Sequence, residues 1–383
     1  MKVKNILSVF DGISIAQLAI NRASIKYEKY YASEIDKNAI AITSKHFPET
    51  VHLGDITKLT PLKLKQLNLI GNVDIYIGGS PCTSLSSAAC QKESGLEKGQ
   101  SILFWEYVRI LNIVKPKFFI LENVASMKKA DKEIITKVLG VEPILINSAL
   151  VSAQSRKRLY WTNIQGIIQP KNKGIFLKDI LVDGYTERDK SYCIVATINK
   201  ACMQDYLRGQ RQMIFTKPVR IGTIGNGGQG ERIYSANGKS ITLSANGGGR
   251  GAKTGLYRIG TIGKGNRGEV IYNIKGKSIT LTAGGGVANT GQYVITNDKD
   301  IKINAENIHK IPIRKLYPIE CERLQTIPDN YTEGFSNSAR YKMLGNSFTT
   351  NVIAHILSFI KLNRNNSTRV KLDEKYKQIS MTF

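Results

Sequence analysis

The residues best suited to covalent chemistry lie in the first half of the 383-residue chain. Cys82 follows Gly78-Gly79-Ser80-Pro81 directly after the apolar run Val73–Ile77. A thiolate on a turn at a strand's carboxyl end can add to an electron-poor carbon and leave again, because it combines high nucleophilicity with low basicity. The alternative, an inert buried cysteine, stays open on spacing alone. Glu122 closes a second apolar run, Phe118–Leu121, so its carboxyl emerges from the same sheet edge and can protonate or hydrogen-bond a ring nitrogen. The competing reading is an acid stabilised at a helix N-terminus. Arg156 and Arg158 alternate along an extended segment, which puts both on one face. One can stabilise a developing oxyanion while the other orients Glu122 or a phosphate; simple surface charge is the plainer alternative.

A second group suits a nucleoside-bearing ligand. Phe10-Asp11-Gly12-Ile13 joins the first strand to its helix and lacks the GxGxxG fingerprint of dinucleotide sites, which disfavours a dehydrogenase. Glu34 ends the second strand, where acids commonly bind ribose hydroxyls. Ile35 can cover a purine ring, with Asp55 and Ile56 closing its other edge.

The elements needed to position these residues are legible as a series. Strands are expected over Asn5–Phe10, Tyr30–Ser33, Val51–Leu53, Val73–Ile77 and Phe118–Leu121; helices are expected over Ile13–Asn21, Lys37–His46, Ser101–Val114 and Lys129–Leu139. Such alternation predicts a mostly parallel sheet covered by helices, with ligands at the carboxyl ends of its strands. Residues 1–170 form the expected catalytic and cofactor-binding domain. Residues 171–310 are rich in Gly, Ser, Thr and Asn and contain a repeat. Arg220-Ile221-Gly222-Thr223-Ile224-Gly225 returns as Arg258-Ile259-Gly260-Thr261-Ile262-Gly263, and Gly238–Leu243 returns as Gly276–Leu281. Two copies are too few for a solenoid and predict paired β-hairpin units in a small inserted domain. Residues 311–383 turn helical again and are expected to return to the first domain.

Composition narrows the partners. Lys and Arg number 55 against 30 Asp and Glu, a formal +25, which favours a polyanion without choosing DNA over RNA. The five cysteines form no close CxxC pair, so no metal site is expected; an odd count fits a reducing cytosol. No stretch reaches the length of a membrane span.

Taken in order, these motifs resemble the DNA cytosine-5 methyltransferase family over nearly the whole chain. Phe10-Asp11-Gly12, Glu34-Ile35-Asp36 and Asp55-Ile56 resemble its cofactor motifs. Ser80-Pro81-Cys82 resembles its catalytic loop, Glu122-Asn123-Val124 its acidic motif and Gln154-Ser155-Arg156-Lys157-Arg158 its arginine motif. Arg314-Lys315-Leu316 with Glu320–Gln325 resembles the penultimate block and Gly345-Asn346-Ser347 the last, which the family folds back beside the first motif. Ser14 and Ile15 depart from the further glycines of many relatives.

The resemblance implies a Rossmann-like α/β S-adenosylmethionine-dependent methyltransferase fold with an inserted β-rich target-recognition domain. It implies transfer of a methyl group from S-adenosyl-L-methionine, leaving S-adenosyl-L-homocysteine, to C5 of a flipped-out cytosine in duplex DNA. Cys82 would add to C6, Glu122 assist at N3, Arg158 hold O2 and the carbonyl near Pro81 accept from the amine, with Arg156 beside them and no metal. Ser80, Asn346 and Ser347 join the cofactor set. Arg220, Arg232, Arg250, Arg258, Arg267, Lys239 and Lys277 are candidates for phosphate or guanine contacts, and Gln229 and Asn246 for base edges. The expected enzyme is a cytoplasmic bacterial or phage-encoded monomer, nucleoid-associated when bound to DNA, with a restriction endonuclease at the same site as an optional functional partner. A tRNA-directed member of the family is the main rival, although that branch usually has a smaller insertion.

Overall fold

Apolar runs without alternation become strands buried on both faces. Val73–Gly78 (β4) and Phe118–Val124 (β5) are buried at every position, as parallel strands covered on both sides must be. Around them lie Lys2–Val9 (β1), Lys26–Ser33 (β2), Val51–His52 (β3), Ile144–Asn147 (β6) and Lys157–Thr162 (β7), in the order β3-β2-β1-β4-β5-β7-β6. The strands from β3 to β5 are parallel, and β7 is antiparallel to both β5 and β6. The computed structural model describes residues 2–80, 103–186, 188–216, 220–223, 232–234, 258–261, 270–272, 293–294 and 313–362.

The chain leaves β1 toward β2 and β3, then returns to place β4 on the other side of β1. That reversal opens a crevice between the carboxyl ends of β1 and β4, where open α/β sheets bind ligands. The helices Ile15–Arg22 (α1), Lys37–His46 (α2), Pro61–Gln66 (α3), Leu103–Val114 (α4) and Lys129–Leu139 (α5) connect the strands. Asp36 caps α2 by accepting from the amides of Asn38 and Ala39. Leu7, Val9, Tyr76, Phe104, Tyr107, Val108, Phe119 and Trp161 share one buried cluster, which fixes α4 against the sheet.

Several bounds differ from the sequence expectation: β1 and β2 begin earlier, at Lys2 and Lys26, α1 begins later, at Ile15, and one helix is added. β5 continues past Leu121 to Val124, so Glu122 sits inside the strand, because antiparallel β7 extends the ladder with Glu122 opposite Tyr160 and Val124 opposite Arg158. The helix Pro61–Gln66 is added by a Thr60 cap and a proline in its first turn.

The described chain clusters into two units. The first comprises Met1–Ile175, Cys193–Asn199 and Tyr317–Phe383; the second comprises Phe176–Tyr192 and Lys200–Leu316. In the first, the C-terminal helices Pro318–Leu324, Asn337–Asn346 and Thr350–Ser358 join the sheet domain, the last packing on α1. Glu322 is fully buried there and accepts from the amides of Asn330 and Thr332 and from Arg340 at 3.0 Å. Gly345 has no room for a side chain, since a Cβ would lie 2.2 Å from the amide nitrogen of Ala196 and from the carbonyl carbon of Val195.

In the second unit, Met213–Phe215 (β8) pairs with Ile313–Lys315 (β14). Arg220–Thr223 (β9) forms an antiparallel hairpin with Arg232–Tyr234 (β10), and Arg258–Thr261 (β11) does the same with Val270–Tyr272 (β12). Tyr293–Val294 (β13) adds to β12. Both hairpins keep the same pairing: Arg220 faces Tyr234 as Arg258 faces Tyr272, and Thr223 faces Arg232 as Thr261 faces Val270. Among the described residues no helix is long and apolar enough to cross a membrane.

Candidate active site

β5 and β7 bring a carboxyl group and a guanidinium together. The Arg158 Nε atom lies 2.9 Å from Glu122 Oε1, and both side chains are nearly buried. A charge-assisted contact of this length holds the carboxyl group in one orientation. Its other oxygen, Oε2, stands 3.3 Å from where a Cβ on Gly79 would be, and the Phe348 ring stands at 2.8 Å from the same point. Glycine at 79 therefore lets β4 end directly against the Glu122 carboxyl group. The next residue is tied in as well: Asn123 Nδ2 donates to Ser80 Oγ at 3.2 Å. Ser80 is the last described residue before the segment that carries Pro81 and Cys82, which lies outside the described residues.

Arg156 has a different environment from Arg158. It is only 4% exposed, and its guanidinium donates to the carbonyls of Ile194 at 2.9 Å, Gly345 at 3.3 Å and Ser347 at 3.0 Å. It thus binds the last motif to the 193–199 segment, whereas Arg158 is the arginine beside Glu122. Both also reach Cys193 Sγ, at 3.2 Å from Arg156 and 3.8 Å from Arg158. Burial pushes the Cys193 thiol up, but the two guanidinium charges outweigh it and leave the group below its ordinary value. Cys193 carries no sequence signal, since nothing in its neighbours announces the two arginines.

The carboxyl ends of β1, β2 and β3 form the other half of the crevice. The first turn is tightly wound, with positive φ at Phe10, Gly12 and Ser14. Asp11 points inward, accepting from Tyr30 Oη at 2.6 Å and from Ser14 Oγ; burial raises its pKa above the usual carboxylate range. Its part is to brace the turn. Ile13 is buried in the core, and its carbonyl accepts from Tyr331 Oη at 2.9 Å, which fastens the C-terminal segment to the turn. Glu34 accepts from the amides of Gly12 at 2.8 Å, Ile35 at 2.8 Å and Asp36 at 2.9 Å, so its carboxylate is fixed by backbone. Ile35 is 70% exposed, an apolar side chain left uncovered beside that acid. Asp55 caps the short turn Ile56–Lys58, and Ile56 itself is buried. Arg109 on α4 donates to the carbonyls of Leu59 at 2.8 Å and Ile56 at 2.9 Å and pairs with Glu106. The helix that follows the Cys82 segment is thereby clamped to the Asp55–Leu59 turn; the Glu106–Arg109 spacing of three is the one sequence cue to it.

Asn346 is exposed, and Ser347 is buried with its hydroxyl donating to the Met343 carbonyl. Of the residues expected to meet DNA, Arg220, Arg232 and Arg258 lie on described strands without described side chains. Lys239, Lys277, Arg250, Arg267, Gln229 and Asn246 lie outside the described residues.

The mostly parallel sheet covered by helices is an α/β Rossmann-like fold, with an oriented acid on one side of its crevice and a backbone-held acid beside exposed Ile35 on the other. The family model described as C-5 cytosine-specific DNA methylase matches residues 4–362. The chain belongs to that family and is a DNA cytosine-5 methyltransferase, acting on DNA. It is similar to the type II methyltransferase M.HhaI of Haemophilus parahaemolyticus, 29% identical over 370 residues that span 91% of this chain and 92% of that protein. It is also similar to the orphan methyltransferase M.SPRI of Bacillus phage SPR, 26% identical over 436 residues that span 92% and 96%. In fold it resembles the Entamoeba histolytica methyltransferase EhMeth, with a TM-score of 0.59 at 16% identity, covering 96% of this chain and all of that one.

Proposed function

We propose that the enzyme methylates one cytosine within a short duplex sequence through a transient bond between Cys82 Sγ and C6 of the base. The observation that carries this reading is the Glu122 carboxyl group, held by Arg158 against Gly79, three residues before Cys82. Inside a stacked duplex neither C5 nor C6 can be reached, so the target base must leave the helix. Cys82 as thiolate then adds to C6, and the ring's electron pair moves toward C5. Glu122 donates a hydrogen bond or proton at N3 to take up the charge, Arg158 neutralises O2, and the carbonyl near Pro81 accepts from the amine. After C5 is alkylated, its proton passes to a water molecule acting as base, the electron pair re-forms the C5–C6 double bond, and the C6–S bond breaks to give 5-methylcytosine and free thiolate.

The crevice residues fit S-adenosylmethionine as methyl donor. Glu34 presents an acid suited to paired ribose hydroxyls, and exposed Ile35 offers an apolar surface for a purine, with Asp55 nearby in the third motif. Phe10, Gly12, Ile13, Ser80, Asn346 and Ser347 complete the set, with Asp11 bracing their turn from within. The donor supplies a methyl group activated by a sulfonium, and S-adenosylhomocysteine is the product.

The second unit is the target reader in this proposal, with the basic and amide residues named above as contacts. Its two hairpins share one register, which supports two related units reading two related parts of a partly symmetric site. The enzyme acts as a monomer, alone or beside an endonuclease of the same specificity. Expression in an unmethylated host followed by single-base methylation mapping tests all of this. The expected result is 5-methylcytosine at one short motif, lost with Cys82→Ala although that variant still binds duplex DNA. Methylation of tRNA instead of DNA, or turnover by Cys82→Ala, contradicts it.

A further inference from the structure

Two guanidinium groups converge on a single sulfur beside the acid of the active site. Arg156 Nη1 and Arg158 Nη2 lie 3.2 and 3.8 Å from Cys193 Sγ, while Arg158 Nε pairs with Glu122 at 2.9 Å. We propose that Cys193 is a positioning residue for methyl transfer, its sulfur being the shared acceptor that holds Arg156 and Arg158 in register so that Arg158 meets Glu122. The inference rests on the reading that Glu122 and Arg158 act on the cytosine ring.

Three features support it. Arg156 is buried with carbonyls as its other acceptors, and among the described residues no carboxylate faces it; a buried cation so placed gains from a polarisable or anionic neighbour. Two like charges at one point repel each other, and an electron-rich sulfur between them offsets that repulsion. The two arginine charges also pull the thiol down against the effect of burial, as expected for a sulfur that faces both guanidinium groups. Without that acceptor Arg158 keeps its bond to the Lys157 carbonyl but loses the contact that sets its Nη2 relative to Arg156, and with it part of the geometry in which it orients Glu122.

The test compares full-length Cys193→Val and Cys193→Ser with wild type by steady-state methyl transfer to duplex DNA and by thermal melting. The valine variant removes the acceptor and keeps the volume; the serine variant keeps an acceptor. Cys193→Val is expected to lose about 10- to 100-fold in kcat with KM for S-adenosylmethionine and DNA unchanged, the scale of an active-site misplacement. Cys193→Ser is expected to retain most of kcat, and both are expected to melt near wild type. Wild-type kcat in Cys193→Val, a serine variant as impaired as the valine one, or an effect confined to KM overturns the proposal. Should Cys193→Val melt much lower, Cys193→Ala supplies the same comparison without a branched side chain. Glu122→Gln measured alongside separates the two levels. If it keeps wild-type turnover, the reading of the site itself fails; if it is crippled while Cys193→Val is fully active, only the role of Cys193 fails.

Discussion

Arg158 and Glu122 pair diagonally across two antiparallel strands, Nε to Oε1 at 2.9 Å, although the ladder sets Arg158 opposite Val124 and Glu122 opposite Tyr160. The contact uses one carboxyl oxygen and leaves the other at the end of β4. Replacing Glu122 by Gln removes the ionisable carboxyl group and keeps the shape. Its kcat is expected to fall by about 10²- to 10⁴-fold, the usual range for a lost acid or base, with duplex binding unchanged in a gel-shift assay. Arg158→Lys keeps the charge and loses the fixed fork, and is expected to cost about 10- to 100-fold. Unchanged turnover in either variant contradicts the assigned roles.

Gly345 abuts the backbone of Val195 and Ala196, and its carbonyl accepts from Arg156. Neither neighbour can yield as a side chain does. Gly345→Ala is expected to destabilise by at least about 1–3 kcal/mol in urea unfolding, the range for overpacking, and to lower activity in parallel through Arg156. An alanine variant as stable as wild type contradicts the close approach.

The ion pair between Lys342 and Asp36, 2.7 Å long, joins the C-terminal helix Asn337–Asn346 to the cap of α2. The Lys342 bond, with help from the Asn38 and Ala39 amides, holds the Asp36 carboxyl below the usual carboxylate range. A depressed acid contributes stability above its unfolded value, near 3.9, and loses it as pH falls through the folded value. The melting-temperature gap between wild type and Lys342→Met is therefore expected at neutral pH and should close as pH falls through the depressed folded value. A gap that persists in acid counts against the pair.

Glu34 accepts three backbone amides and faces the crevice beside exposed Ile35. Glu34→Gln is expected to raise KM for S-adenosylmethionine by about 10- to 100-fold, the worth of a hydrogen bond to a charged group, with kcat at saturation little changed. A variant with unchanged KM removes Glu34 from the cofactor site.

Much of this was legible because strand ends and apolar runs are local. Val73–Ile77 and Phe118–Leu121 announce buried parallel strands by their composition, and motif order then places Glu122 and Glu34 on one sheet edge. Contacts between distant segments were not legible. Arg156 and Arg158 look equivalent in sequence, yet one is committed to carbonyls near residues 194, 345 and 347 and the other to Glu122. The return of the C-terminal helices was expected from their change of texture, but the return of 193–199 to the first unit, which supplies the Ile194 carbonyl and Cys193, is encoded by no local pattern. Asp11 likewise reads as a ligand by position, but its partner Tyr30 turns it inward.

Duplex DNA carrying 5-fluorocytosine at the mapped target tests the covalent step most directly, because fluorine cannot leave C5 as a proton does and the C6–S bond then has no route to break. With S-adenosylmethionine present, denaturing electrophoresis and peptide mass analysis are expected to show one DNA-linked peptide joined through Cys82. A substrate methylated normally on cytosine that yields no linked species with the fluorinated base, or a link through any other residue, contradicts the account.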